Sequence, residues 1–379
     1  MERINLQLPT SYNRCTPAQL RAIAAIMADR GLHTSRLHPY DHFEVKVAVF
    51  FRLTGIEVVE PVNPRVNVED QYYTCRQTPW TLEEENSRWF RMLRWYRSFK
   101  AWFRRSVLGH DDTFSLYLWQ INYWLTPHKN LINGKDIPGM LDWLDADSRD
   151  HLLRFPFPIV NRHRFVSSLC SLVFPTRKIE FHGPNPFMDG FTWRRYRFAQ
   201  DYMQVYVDCH NALLQMQQQG NKVSADDMLK AVKNYDLAKA MFLAVLYNSR
   251  ITYVDEETGC KKTDFHYQSN QHSDNSPYFR NFPESDFQLI LLWWQGMMHF
   301  LQKTYPKVFK KTSVKSPKKP VNPLELYTRT TATMEKYLHI TASDVDREPY
   351  TTILQQLEDI TRRNEEIEKM NAKMKSRRK

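Results

Sequence analysis

Residues 287–301 read Phe-Gln-Leu-Ile-Leu-Leu-Trp-Trp-Gln-Gly-Met-Met-His-Phe-Leu, interrupted only by Gln288, Gln295, Gly296 and His299. A helix with no continuous polar face has to be covered on every side, so the chain is obliged to build a core around this segment. The run is also shorter than the roughly 18–20 apolar residues that a bilayer span needs, which makes it a buried helix over residues 285–305. With 379 residues the chain has enough length for that core and for two or three domains.

Amphipathic helices supply the cover. Thr16 is placed as an N-cap, Pro17 as the first helical residue and Gln19 as the capping-box partner. Leu20, Ile23, Ala24 and Met27 then repeat at helical spacing. A second helix spans about residues 41–54 and stops at Gly55, followed by a short strand at 56–59. A third runs from Thr81 to near Gly109, and residues 114–125, whose apolar run suits helix or strand, are assigned to helix. A loop-rich stretch, 127–186, holds short helices around 140–144 and 164–173. Long helices follow at 192–219, with Tyr196, Ala199, Met203, Tyr206 and Leu213 inward, and at 224–247, with a break near Asn234. A strand at 251–254 precedes a polar loop over 256–276.

Segments of the two halves line up in order. Residues 16–27 match 192–203, residues 45–60 match 239–255, and residues 87–103 match 285–301 with Trp95 over Trp293. One insertion around 220–234 accounts for the change in offset. A tandem duplication leaves such a pattern; chance likeness between amphipathic helices is the alternative.

The expected fold is therefore mainly α: a helical lobe over 1–126, a loop-rich connection over 127–190, a second helical lobe over 191–305, each lobe with a short strand. A basic Pro- and Lys-rich linker over 306–323 leads to a small helical C-terminal module over 324–379. In that module Ile353, Leu357, Ile360, Asn364, Ile367, Asn371 and Met374 alternate by four and three, a short heptad seam. Ile353, Leu357, Ile360 and Ile367 are its candidate partner-binding residues. A seam this short is marginal alone and needs a surface: a second copy, the protein's own lobes or a helical client.

Charge is unevenly spread. Residues 306–379 hold 17 Lys and Arg against 10 Asp and Glu, whereas the remainder holds 36 against 32. Within the nearly neutral body, the helix at 88–107 stands out. Trp89, Met92, Leu93, Trp95, Tyr96, Phe99, Trp102, Phe103 and Val107 fill one half of it, and Arg91, Arg94, Arg97, Lys100, Arg104 and Arg105 the other. The apolar half is wide enough to be used entirely by a core, which is the expected role; phosphate-backbone binding and an interfacial membrane helix are the functional alternatives.

Signals for chemistry are weak. The ten glycines include no Gly-x-Gly pair and no Gly-Lys-Ser/Thr, so neither phosphate-binding fingerprint occurs. Cys15, Cys75, Cys170, Cys209 and Cys260 are scattered, which argues for a reducing compartment and against a zinc ribbon. His38, His42, His163, His266 and His272 form no His-x-x-x-His on a recognisable helix. Asp142, Asp145, Asp147, Asp226 and Asp227 read as surface caps, and no Gly-x-Ser-x-Gly elbow is present. The expectation is no catalytic, cofactor-binding or metal site, and no signal peptide.

The opening Leu6-Gln-Leu-Pro-Thr-Ser-Tyr12, Phe51-Arg-Leu-Thr-Gly-Ile56, Ala244-Val-Leu-Tyr247, Thr304-Tyr-Pro-Lys-Val-Phe309 and Pro349-Tyr-Thr-Thr-Ile-Leu-Gln-Gln-Leu-Glu358 resemble proteins encoded in tail-assembly regions of phages and prophages of Bacteroidetes-like bacteria. The likeness does not extend over residues 127–185. It implies a helical, non-enzymatic tail assembly chaperone that binds a tape-measure-like client in the host cytoplasm. It carries over no functional residue. Together with the composition it sets the expectation of an interaction protein with a helical protein partner, no cofactor and no membrane. A nucleic-acid-binding accessory protein of a mobile element, acting through residues 91–105 and the lysine linker, is the alternative.

Overall fold

The computed structural model describes residues 8–29, 39–63, 65–78, 82, 90–108, 113–130, 132–144, 157, 160–164, 177–219, 223–249, 251–254, 261–264, 271–309 and 323–377. Among them are eleven α-helices and only small sheets, so the fold is mainly helical, as expected. The chain separates into two compact units: Met1–Pro156 with Pro283–Met297, and Phe157–Phe282 with Met298–Lys379.

The first unit opens with α1 (Pro17–Asp29). Its capping box is formed as the residues dictate: Thr16 N–H donates to Gln19 Oε1 at 2.9 Å, and Gln19 N–H returns to Thr16 Oγ1 at 3.2 Å. Leu20, Ile23, Ala24 and Met27 are all buried. Helix α2 (Pro39–Thr54) ends at Gly55, whose φ of +67° is left-handed and whose missing Cβ leaves room for Thr78 Oγ1. That turn feeds β1 (Ile56–Glu60), which pairs antiparallel with β2 (Tyr72–Gln77).

Next comes α3 (Phe90–Leu108). The segment 114–125, ambiguous between helix and strand in the sequence and assigned to helix, divides instead into β3 (Thr113–Tyr117) and α4 (Leu118–Leu125). Alternation decides it: Leu116 faces the core while Thr113, Ser115 and Tyr117 face out, and β3 completes the sheet on β2. A two-residue pair, β4 (His128–Lys129) and β5 (Asp136–Ile137), follows. Lys46, nearly buried, reaches Asp142 Oδ1 at 2.9 Å, and Asp142 Oδ2 accepts from Gly139 N–H at 2.7 Å. Asp142 is therefore the counter-ion of a core lysine rather than a surface cap.

In the second unit β6 (Val160–Arg164) pairs with β7 (Arg177–His182), and the short helix expected around 164–173 falls mostly outside the described residues. Helix α5 (Trp193–Gln219) buries Tyr196, Ala199 and Tyr206, with Met203 and Leu213 half-buried. Helix α6 (Ala225–Leu246) starts on a Ser224 cap and runs unbroken through Asn234. It is followed by β8 (Asn248–Ser249), which pairs with β7, then by the hairpin β9 (Ile251–Val254) and β10 (Lys261–Asp264), and by the short α7 (Gln271–Asn275).

Helix α8 (Glu284–Thr304) is the apolar segment that opened the sequence analysis. Residues 287–294 are all buried. Leu289 and Leu292 join the first unit's core with Ile23, Val49, Phe50, Ile121 and Leu125. Beyond Met297 the same helix belongs to the second unit, where Phe300 meets Phe187 at 5.3 Å and Leu301 is buried. The expected lobe over 191–305 is corrected accordingly. A helix that is apolar all round satisfies its sides with different partners along its length.

The remaining helices are α9 (Pro323–Leu338), α10 (Ala342–Arg347) and α11 (Tyr350–Arg377). They do not form a separate module but part of the second unit. Trp193 N–H donates to Glu348 O at 2.7 Å and Tyr350 N–H to Phe191 O at 3.1 Å, a backbone bridge between the start of α5 and the start of α11. Tyr350 stacks on Tyr196 at 5.1 Å and donates to Phe187 O at 2.7 Å. The expected linker also begins later than Pro306. The backbone N–H groups of Lys307 and Val308 donate to Glu358 Oε2, and Lys307 Nζ pairs with Glu365, while 310–322 lie outside the described residues.

Candidate interaction surface

Helix α3 contradicts the core role assigned to it from sequence. Among its described side chains none is buried. Trp95 is 71% exposed, Trp102 53% and Phe99 51%, and Met92, Tyr96, Phe103 and Val107 are exposed beside them. The rings pack on one another along the helix: Trp95 on Phe99 at 5.9 Å and nearly parallel, Phe99 on Trp102 at 5.8 Å and on Phe103 at 6.4 Å. This is the 3.6-residue periodicity expressed as a stripe of aromatic surface. The core reading failed because the first unit's interior is already filled by α1, α2, the sheet, α4 and the early turns of α8.

The cations lie where the helical wheel put them. Arg94, Lys100 and Arg104 are exposed, and Arg97 and Arg105 half-exposed. Arg105 Nε donates to Ala101 O at 3.2 Å and so lies along its own helix. Arg91 is within α3, but its side chain is outside the described set. The capping signal at Thr81 and Glu84 also falls outside it.

The C-terminal seam is largely spent inside the protein. Ile353 and Ile360 are buried, together with Leu354, which is not on the heptad seam. Leu357 is half-buried, and of the four named seam residues Ile367 alone is exposed, continued by Met370 and Met374. Ile353 and Ile360 are thus corrected from partner-binding to core residues: of the surfaces weighed for this helix, the protein's own second unit is the one used.

A cleft of about 580 Å³ in the second unit is lined by Arg194, Arg197, Phe198, Asp201, Tyr327, Ala342, Ser343 and Asp346. The Arg197 guanidinium lies 3.7 Å over the Tyr327 ring, and Tyr327 Oη donates to Asp346 Oδ2 at 3.1 Å. Burial lowers the Arg197 pKa and raises that of Asp201, each opposed by the other's charge. These contacts fasten α9 and α10 to α5. His272 packs on Phe198 and Tyr202; burial, then the charge of Arg194, lowers its pKa, opposed by Asp274.

Burial pushes the Cys15 thiol up to about 12 and Cys75 to about 11, and it raises Cys209 with help from Asp208. Among the described residues no group of three or more His, Cys, Asp or Glu could hold a metal, and no helix is long and apolar enough to cross a membrane. One surface feature escaped the sequence reading: Tyr72 and Tyr117 face each other across β2 and β3 at 5.8 Å, both exposed, with Trp119 beside them. The alternation of Tyr72-Tyr73-Thr74-Cys75 was the available signal. No protein-family model, curated protein or solved structure matches the chain.

Proposed function

We propose that this chain is a non-enzymatic interaction protein that docks through the aromatic arc of α3. The observation that carries the reading is the exposure of seven large apolar side chains on one arc of a single helix. A monomer rarely leaves such a contiguous apolar stripe in water unless something covers it. The tail-assembly role belongs to this reading as the setting that the resemblance implies, with the docking surface moved from the C-terminal seam to α3. Duplex nucleic-acid binding through Arg94, Arg97, Lys100 and Arg104 is less well supported, because phosphate contacts alone leave the aromatic arc uncovered.

A photo-crosslinking amino acid in place of Phe99, in the full chain and in the cells that make it, tests this. Adducts are expected from position 99 and not from Ile132, which is 96% exposed but stands outside α3. Equal yields from the two positions would contradict docking at this face.

A further inference from the structure

The charge around the aromatic arc selects the class of partner, and this inference rests on the docking reading above. Helix α3 holds no acidic residue from Phe90 to Leu108. At about 100° per residue, Trp95, Phe99, Trp102, Phe103, Tyr96 and Met92 share an arc of roughly 120°. By position, Lys100 borders that arc on one side and Arg91 on the other, and Arg94, Arg97, Arg104 and Arg105 occupy the rest of the circumference.

Pairing α3 with α3 of a second copy would lay two cationic helices side by side with no acid in either to offset them. A duplex would meet the arginines and leave the rings in water, and a single strand, whose bases can stack on aromatic rings, is told apart by the oligonucleotide arm of the test below. The surface of an anionic bilayer satisfies both halves at once. The boundary of headgroups and acyl chains receives the aromatic arc, the lipid phosphates meet the bordering cations, and the distal arginines stay within the negative surface potential. Trp and Tyr are the side chains that favour that boundary. At 1.5 Å per residue the helix is about 28 Å long, and with six cations along it such a helix lies on a membrane rather than crossing it.

We propose that α3 is an interfacial helix that seats this protein on an anionic membrane surface. This replaces the expectation of no membrane contact, which the absence of a spanning helix does not require.

The test is flotation of the full-length protein with vesicles of phosphatidylcholine alone or with about one-third phosphatidylglycerol. Wild type is expected to float with the anionic vesicles and to bind the neutral ones at least roughly 10-fold more weakly. Trp95→Ser, Phe99→Ser and Trp102→Ser together should lower anionic binding by roughly 100-fold. Arg94→Gln, Lys100→Gln and Arg104→Gln together should lower it by a similar factor, roughly 100-fold. No described side chain of α3 is buried, so both variants should keep the wild-type circular dichroism. The single changes Phe99→Ser and Lys100→Gln repeat the test if a triple variant misfolds.

Wild type that floats with neither vesicle, or an aromatic variant that floats as well as wild type, would overturn the assignment. So would binding to a DNA or RNA oligonucleotide, without flotation, that only the arginine variant loses. A sedimenting dimer that only the aromatic variant loses, again without flotation, would assign the face to a second copy. Failure to float combined with a protein adduct from position 99 removes the lipid and leaves docking standing. Failure to float with no adduct removes both.

Discussion

Replacing Arg195 by methionine is expected to cost about 3–5 kcal/mol of stability. Arg195 is the third residue of α5 and is buried, an unusual place for a guanidinium. Its Nε donates to Val245 O and its Nη2 to Leu246 O, both at 2.9 Å. Those carbonyls end α6, where the helix has no N–H of its own to offer and where its dipole is negative. The guanidinium also lies 3.8 Å over the Phe191 ring. Methionine preserves much of the aliphatic packing but leaves two buried carbonyls without this donor. Each charge-assisted bond of this kind is worth about 1.5–3 kcal/mol, so the loss dominates the substitution. Urea unfolding of the full chain followed by far-UV circular dichroism measures it. A loss below about 1 kcal/mol would mean that water or a neighbouring side chain takes over the cap.

That arginine marks the boundary of what the sequence could reveal. Local rules were legible: the Thr16–Gln19 capping box, the helix stop at Gly55, the helix start at Ser224 and the inward positions Tyr196, Ala199 and Tyr206 follow from residues a few positions apart. Arg195 meets α6 across about fifty residues of chain, and nothing at either end announces the pairing. Likewise, residues 114–125 carry enough apolar content for one helix, and the availability of β2 as a neighbour makes the first four of them part of a strand.

The candidate site shows the same division. The two-sided character of α3 is written in its spacing, and all six basic positions were placed on one side of the wheel. Whether its apolar half faces a core or water depends on what else fills that core. In the first unit Leu289 and Leu292 arrive from α8, far along the chain, and help to fill it. The C-terminal seam is the converse case. Its pattern is that of a helix seeking a surface, and Tyr350 on Tyr196 supplies one within the same unit.

Ile353→Asp combined with Ile360→Asp is therefore expected to destabilise the second unit by more than about 4 kcal/mol, and to free α11 to proteases. Both side chains are buried, and each substitution trades a filled apolar site for a carboxylate taken out of water. The comparison is Ile367→Asp on the same helix, which is 52% exposed and should change stability by no more than about 0.5 kcal/mol. Thermal melting and limited proteolysis of the three proteins separate the outcomes. A double variant that melts like wild type would return the seam to the surface and restore it as a partner-binding element.

The central claim is that the aromatic arc of α3 lies in water in the free protein and is covered, arc first, when the protein docks. An environment-sensitive fluorescent amino acid placed at Phe99 or at Arg104 reads both conditions. In the free protein the two positions should emit alike, as solvent-exposed groups. With anionic vesicles the emission from position 99 should shift to the blue, while that from position 104, on the opposite side of the wheel, stays close to its value in water. A blue emission from position 99 before any vesicle is added, unchanged afterwards, would place the arc inside the folded protein and contradict the account.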